Sequence, residues 1–235
     1  MSILEQNRLN LKKRGLFCAI TGLRLAGKST LAGTLPGKTA LLTAALFETG
    51  AGSAISLAKE LGNELDVFTF DSIGQLKEMI DEASKSYDNI YIDSATGITE
   101  LIYRSPKIVA ALKKNTWDAF REIADIVEDL MLQTKALTEQ SEINIFYSIS
   151  LIERDGVLMP EAKGNAVVKN IRAIFPAVLA LRPEFNEDGE SLAPSLITKT
   201  TGEYGARIDD LLAKNNPGIL PADLSKVIEL LKGNK

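Results

Sequence analysis

Hydrophobic residues in the first half of the chain come in short runs that are separated by glycine, proline or polar turns. Two such runs, at residues 15–21 and 39–47, predict buried strands, although the alanines of the second also allow a helix. Residues 65–70 alternate as a strand does, and 89–93 favour a strand that ends in a carboxylate. Helical periodicity predicts helices at 53–61 and 73–84, and it is strongest at 117–137. This alternation predicts an α/β domain with a mainly parallel central sheet covered by helices.

The second half continues with a strand at 143–149 and a hairpin signal at Asp155-Gly156. Residues 163–175 favour a helix, and two late strands, 177–181 and 195–201, are expected to be antiparallel and joined around 186–189. A closing helix is predicted at 221–232, with Pro221 in its first turn and Gly233 at its end. Trp117 falls on the apolar spacing of its helix, which favours a core anchor over a base-stacking platform. Residues 1–14 are predicted to be a separate arm, and 15–235 a single core.

Composition excludes several kinds of chemistry. The 235 residues include no histidine, so Ser-His-Asp hydrolysis and histidine-ligated metal sites are ruled out. The single cysteine, Cys18, lies inside the first predicted strand and is expected to be buried and unreactive. Arg24 interrupts the first apolar run, which argues against a signal peptide, and no run reaches the length of a membrane span. We therefore expect a cytoplasmic protein that does not enter a membrane.

The first strand runs into the motif G-x4-G-K-S, which is typical of a phosphate-binding P-loop. Gly22 and Gly27 permit a turn whose backbone N–H groups point at anionic oxygens, and a helix opening near Lys28 would add its positive end. Lys28 can reach the β- and γ-phosphates, and Ser29 can offer its hydroxyl to Mg2+. The predicted nucleotide-binding residues are Gly22, Leu23, Arg24, Leu25, Ala26, Gly27, Lys28, Ser29 and Thr30.

A second part of the site is expected at Asp93, which ends the strand at 89–93. Open α/β sheets bind ligands at the carboxyl ends of their strands, so Asp93 is placed to hold Mg2+ beside the P-loop, as a Walker B acid does. Ser29 and Asp93 are therefore the predicted metal ligands, and ATP with Mg2+ is the predicted cofactor pair.

Further short segments follow the P-loop in a particular order, at residues 48–52, 70–73, 91–96, 146–150, 160–164, 175–178 and 205–207. With these segments, and the long helix opening at Trp117, the chain resembles the short RecA-like ATPases of bacteriophages, a group that includes single-strand annealing proteins. The resemblance implies an ATPase that binds single-stranded DNA in recombination or annealing. It also implies a head-to-tail homo-oligomer, a ring or a filament, in the host cytoplasm.

The resemblance also implies roles for individual residues. RecA-like enzymes place a water-activating carboxylate after the strand that follows the P-loop, and Glu48 occupies that place; the alternative is a solvated loop acid. Arg207 matches a basic position that acts on a neighbouring subunit's γ-phosphate, with Lys199 as second choice; the alternative is a surface arginine paired with Asp209 or Asp210. Glu48, Lys28 and Arg207 are thus the predicted catalytic residues.

Two departures from the family pattern concern its mechanism. The P-loop interior carries Leu23, Arg24 and Leu25, which are bulkier than usual. The strand ending at 148–150 lacks the glutamine or histidine with which relatives sense the γ-phosphate, and this affects how hydrolysis would be coupled to DNA.

In RecA-like proteins the loops after two successive strands face DNA, and here both are basic. The predicted DNA-binding residues are Arg104, Lys107, Lys113, Lys114, Arg154, Lys163, Lys169 and Arg172. The alternative for Lys113 and Lys114 is a solvated helix face. Tyr103 is the aromatic residue closest to these cations, so the pattern favours phosphate contacts over base stacking.

Two other functions stay open at this point. A nucleotide-gated, non-catalytic interaction protein would also use the P-loop, and the missing sensor residue favours it. A small-molecule kinase would need an arginine-bearing lid, whereas the comparable stretch, 154–163, carries one arginine and favours a hairpin.

Overall fold

The structure is a computed structural model that describes residues 14–45, 50–164, 167, 173–201, 204–208 and 216–233. One ten-stranded sheet forms its centre. The strands are β1 Phe17–Leu23, β2 Lys38–Ala44, β3 Glu64–Phe70, β4 Asn89–Asp93, β5 Asn144–Arg154, β6 Val157–Pro160, β7 Ala177–Phe185, β8 Ser191–Ile197, β9 Arg207–Ile208 and β10 Ile219–Pro221. The helices are α1 Ala51–Leu61, α2 Ile73–Ala83, α3 Ala95–Arg104, α4 Pro106–Lys114, α5 Thr116–Gln140 and α6 Leu224–Lys232, with a 3-10 helix at Thr30–Thr34.

The sheet has the order β10-β8-β7-β1-β5-β4-β2-β3, with β6 beside β5 and β9 beside β7. From β3 to β7 every neighbouring pair along this path is parallel. The late strands β8 and β10 add on in antiparallel fashion, and a turn at Asp155 and Gly156 joins β5 to its antiparallel partner β6. The predicted fold class is therefore confirmed at the level of a mainly parallel α/β sheet flanked by helices and extended by antiparallel strands.

Helices cover both faces of the sheet because its central strands are apolar on both sides. Phe17 and Ala19 face α2, α3 and α5, where Phe17 stacks on Phe175 with ring centroids 4.5 Å apart. Cys18 and Ile20 face the other layer, which contains the 3-10 helix, α1 and α6. Burial raises the pKa of the Cys18 thiol to about 12, as expected for an unreactive core residue.

A buried amide network aligns the strands at the amino edge of the sheet. The Asn144 amide donates to Asn89 Oδ1 at 2.8 Å, and its own carbonyl accepts from the Leu16 backbone at 3.1 Å. Asn89 in turn donates to the Pro36 carbonyl at 2.7 Å. Because these contacts join the starts of β1, β4 and β5, they fix the register that brings the opposite ends of the strands together.

Three predictions about helices were wrong. The segment after the P-loop is a five-residue 3-10 helix from Thr30, not a helix from Lys28, since Pro36 follows so soon that residue 35 must be extended. The helical N-terminus beside the P-loop therefore begins two residues later than predicted and belongs to a short 3-10 helix. Pro221 ends β10 instead of opening α6, which begins after an Asp223 cap. Trp117 is not a core anchor: it is 86% exposed in the first turn of α5, although Ala119 in the same turn is fully buried.

The predicted arm at 1–14 lies outside the described residues except for Arg14, and most of the helix predicted at 163–175 also lies outside them. Within the described part of the chain, no helix combines the length and the apolar character needed to cross a membrane.

Gly33→Ala should destabilise the fold, because a β-carbon at this position would lie 2.4 Å from the Ala54 carbonyl oxygen and 2.9 Å from the Ala58 nitrogen. The 3-10 helix would have to move away from α1, at a cost of about 1–3 kcal/mol in the free energy of unfolding. Urea denaturation measures this change.

Gly74→Ala is the matched control, since a β-carbon there would meet no atom within 4 Å in the first turn of α2. It should stabilise the protein by about 0.5–1 kcal/mol. Equal effects of the two substitutions would contradict the packing described for Gly33.

Candidate functional site

The P-loop lies at the carboxyl edge of the parallel sheet, directly after β1. Gly27 has a left-handed backbone with φ of 92°, and Leu25 adopts φ of 63° in the same turn. Gly22 is buried, and a β-carbon there would come within 3.1 Å of the Leu181 carbonyl on β7. Both glycines are thus required by the shape of this loop, as the motif predicted.

Lys28 is folded back into the loop. It is 7% exposed, and its ammonium group donates to the backbone carbonyls of Gly22 at 3.0 Å and Leu23 at 2.7 Å. Burial lowers the pKa of Lys28 to about 8, while the nearby carboxylates of Asp93 and Glu161 act in the opposite direction. The lysine therefore stands beside the loop's interior as a desolvated cation, held by acceptors that an anionic ligand could replace.

Asp93, at the end of β4, contacts both the P-loop and β5. Its Oδ2 accepts a hydrogen bond from the Ser29 hydroxyl at 2.5 Å, and its Oδ1 accepts one from the Ser148 hydroxyl of β5. Tyr91, which lies on β4 with Asp93, donates a hydrogen bond from its hydroxyl to the Lys28 backbone carbonyl at 2.6 Å. The two residues predicted as metal ligands, Ser29 and Asp93, are therefore in direct contact.

These residues fit a magnesium ion. Mg2+ in proteins is commonly held by one or two carboxylates together with substrate phosphates and water, and the Ser29 hydroxyl and the Asp93 carboxylate share one small space. Among the residues that the structure describes, there is no cluster of three acidic, histidine or cysteine side chains that would bind a metal alone. The donor set therefore fits a metal that arrives with a phosphate ligand.

Glu48 lies outside the described residues, but Gly50, two positions further along the chain, lies against the P-loop. Gly50 has φ of 95°, and a β-carbon there would lie 2.9 Å from Cβ of Ser29. The start of α1 is thus packed against the P-loop serine, and any larger residue at position 50 would collide with it.

Arg24 and Leu25, two of the three bulky interior residues of the P-loop, are exposed. The Arg24 Nε donates to Glu161 Oε2 at 3.0 Å, and the same guanidinium makes a second, bidentate contact with that carboxylate. Leu25 is fully exposed, at 100%. Arg24 therefore connects the loop to the segment that follows β6.

Arg207 lies far from this edge on its own chain. It pairs with Val178 near the start of β7, at the amino ends of the strands, and its guanidinium donates to the carbonyls of Ala173 and Phe175. The P-loop lies at the opposite ends of the same strands. A catalytic role for Arg207 would therefore require the P-loop of another subunit. Lys199, the second choice for the role of Arg207, is exposed in the segment after β8.

Ion pairs engage several of the cations predicted to bind DNA. Arg104 and Lys163 share the carboxylate of Glu100, and Lys107 pairs with Glu122. In the described part of the chain, Lys113, Lys114 and Arg154 are exposed and form no ion pair. Lys169 and Arg172 lie outside the described residues.

Sequence reasoning missed three partners of the site: Ser148, Tyr91 and Glu161. Ser148 could have been suspected as a small polar residue within an apolar strand, and Tyr91 as a polar atom next to the strand tip. Glu161 carried no such signal, because its partner Arg24 is 137 residues away in the sequence.

No protein-family model matches the chain, and no curated protein is similar enough in sequence to count as a relative. Its function is therefore inferred from the geometry of the site.

Binding of a triphosphate should weaken as pH rises above about 8, because Lys28 then loses the charge that attracts phosphate. Below that pH the lysine is protonated and affinity should be constant; above it, affinity should fall by up to about tenfold per pH unit. Calorimetric titration with a non-hydrolysable ATP analogue between pH 7 and pH 9.5 would measure this dependence.

Lys28→Arg provides the matched control, since a guanidinium stays charged throughout this range. Whatever its absolute affinity, this variant should show a flat profile. A decline of equal steepness in both proteins would show that Lys28 is not the titrating group.

Proposed function

We propose that the chain is a RecA-like P-loop ATPase that binds ATP with Mg2+, hydrolyses it and acts on single-stranded DNA in recombination or annealing. The observation that carries the proposal is the direct hydrogen bond between Ser29 of the P-loop and Asp93 at the tip of β4, with Lys28 folded beside them. A phosphate loop, a cation and a metal-binding carboxylate converge there on one edge of the sheet.

Each residue has a distinct task in this proposal. Backbone N–H groups of residues 22–30 surround the phosphates, and Lys28 exchanges its carbonyl partners for the β- and γ-phosphate oxygens. Ser29 and Asp93 hold Mg2+, which offsets phosphate charge when bound. Ser148 keeps the Asp93 carboxylate oriented through its hydroxyl. Glu48, which precedes Gly50 by two residues, orients the attacking water.

The proposal includes assembly of several copies. Arg207 lies at the edge opposite the P-loop, so a head-to-tail arrangement would bring it to a neighbour's triphosphate. An arginine there would stabilise charge on the transferring phosphate. Rings and filaments both satisfy this geometry.

A second candidate is a nucleotide-gated protein without turnover. The pairing of Arg104, Lys107 and Lys163 with glutamates favours it, because those cations are partly neutralised for DNA. A small-molecule kinase gains no support, since the stretch that would have to form its lid is the β5–β6 hairpin.

Lys28→Ala should abolish ATP hydrolysis, because it removes the cation nearest the transferred phosphate. Glu48→Gln should retain nucleotide binding but lose turnover by about 100-fold or more, the usual effect of losing a positioned base. A phosphate-release assay with and without single-stranded DNA measures both effects, and circular dichroism checks folding.

Lys59→Ala is the control, since Lys59 is an exposed lysine of α1. It should behave as wild type. Equal turnover in wild type and Lys28→Ala would overturn the enzyme proposal, whereas tight ATP binding without turnover in the wild type would favour the nucleotide-gated protein.

A further inference from the structure

Trp117, the single tryptophan of the chain, stands on the surface. Its side chain is 86% exposed in the first turn of α5. The turn itself is firmly built: the Trp117 backbone N–H donates to Asn115 Oδ1 at 3.0 Å, and the Asn115 amide donates to Asp118 at 2.8 Å. A large aromatic side chain is thus held on an ordered helix end without packing into the core.

Cations lie close to this ring in the sequence and on the helix. Lys113 and Lys114 end α4, just before the turn that leads into α5, and Arg121 follows Trp117 by one helical turn on the same face. All three are exposed, and none forms an ion pair with any residue in the described ranges. The nearest acid, Asp118, accepts the hydrogen bond from Asn115.

This patch lies on the same edge of the sheet as the P-loop. The 25-residue helix α5 is about 37 Å long, and its far end reaches the amino edge, where the Gly15 N–H donates to the Thr138 carbonyl. At its near end, Phe120 packs on Gly164. A β-carbon on Gly164 would lie 3.2 Å from Cδ1 of the Phe120 ring. Glu161, three residues earlier, pairs with Arg24 of the P-loop.

We propose that Trp117 is a stacking platform for one base of single-stranded DNA, with Lys113, Lys114 and Arg121 contacting the flanking phosphates. The proposal rests on the DNA-binding function proposed above and assigns it a place. Stacking on an exposed ring combined with unpaired cations is how sequence-tolerant proteins hold single strands, because every base has a π-face. A protein partner would instead favour an apolar surround, whereas cations flank this ring on both sides in the sequence.

Because Trp117 is the only tryptophan, its fluorescence reports on the patch directly. Titration with oligothymidylate in the presence of ATP and Mg2+ should quench the emission as a thymine covers the ring. Trp117→Ala should weaken binding by about 5- to 100-fold in a filter assay, and Trp117→Phe should retain most of the affinity. Replacing Lys113 and Lys114 by alanine should lower the slope of log affinity against log salt by about 1.4.

Leu132→Ala is the matched control, since Leu132 is an exposed apolar residue further along the same helix. It should bind oligothymidylate as wild type does. If the wild type binds no oligothymidylate, the DNA-binding function itself fails. If the wild type binds while emission is unquenched and Trp117→Ala binds equally well, the stacking site alone is overturned. A change of oligomer mass in Trp117→Ala, with unchanged DNA affinity, would assign the ring to a contact between subunits and would also overturn it.

Discussion

The carboxylate of Asp93 is the interaction on which the site depends. It accepts hydrogen bonds from Ser29 in the P-loop and from Ser148 on the strand between β1 and β4, so three separate parts of the chain meet at one side chain. Only a parallel sheet with matched strand ends can bring a loop after β1 to the tip of β4. At the opposite edge, the amide network of Asn89 and Asn144 aligns the starts of β4 and β5 and so fixes where these strands end.

Burial is the main cause of the unusual electrostatics of Lys28. Lys28 lies among backbone carbonyls instead of water, and the cost of keeping a charge there lowers its pKa. A poorly solvated cation gains more from a nearby anion than a surface lysine would. In the structure its partners are the backbone carbonyls of Gly22 and Leu23.

Outside the P-loop, some of the cations predicted to bind DNA are paired with carboxylates and others are not. Glu100 pairs with both Arg104 and Lys163, and Glu122 pairs with Lys107, so these three cations, which the sequence placed in a basic stripe, are partly neutralised. The cations that remain unpaired in the described residues include Lys113 and Lys114, beside an aromatic ring that helical periodicity had assigned to the core. A net charge of −4 thus coexists with a small basic surface at the end of one helix.

The sequence by itself determined the α/β class, the approximate bounds of β1 to β4 and the placement of Ser29 and Asp93 at one edge of the sheet, whereas the short strands β9 and β10 were not predicted. Strand β4 begins and ends where its apolar run does, and the G-x4-G-K-S motif forms the expected loop, because glycine conformation and apolar periodicity are local properties. Periodicity failed for Trp117, since an apolar repeat does not show which residues in the first turn of a helix are covered by other elements. Only the tertiary structure decided that Ser148 and Glu161 join the site, which carboxylates neutralise which cations, and that Arg207 lies at the opposite edge. Those facts depend on contacts between residues far apart in the chain, and strand order and register create such contacts without leaving a trace in local sequence.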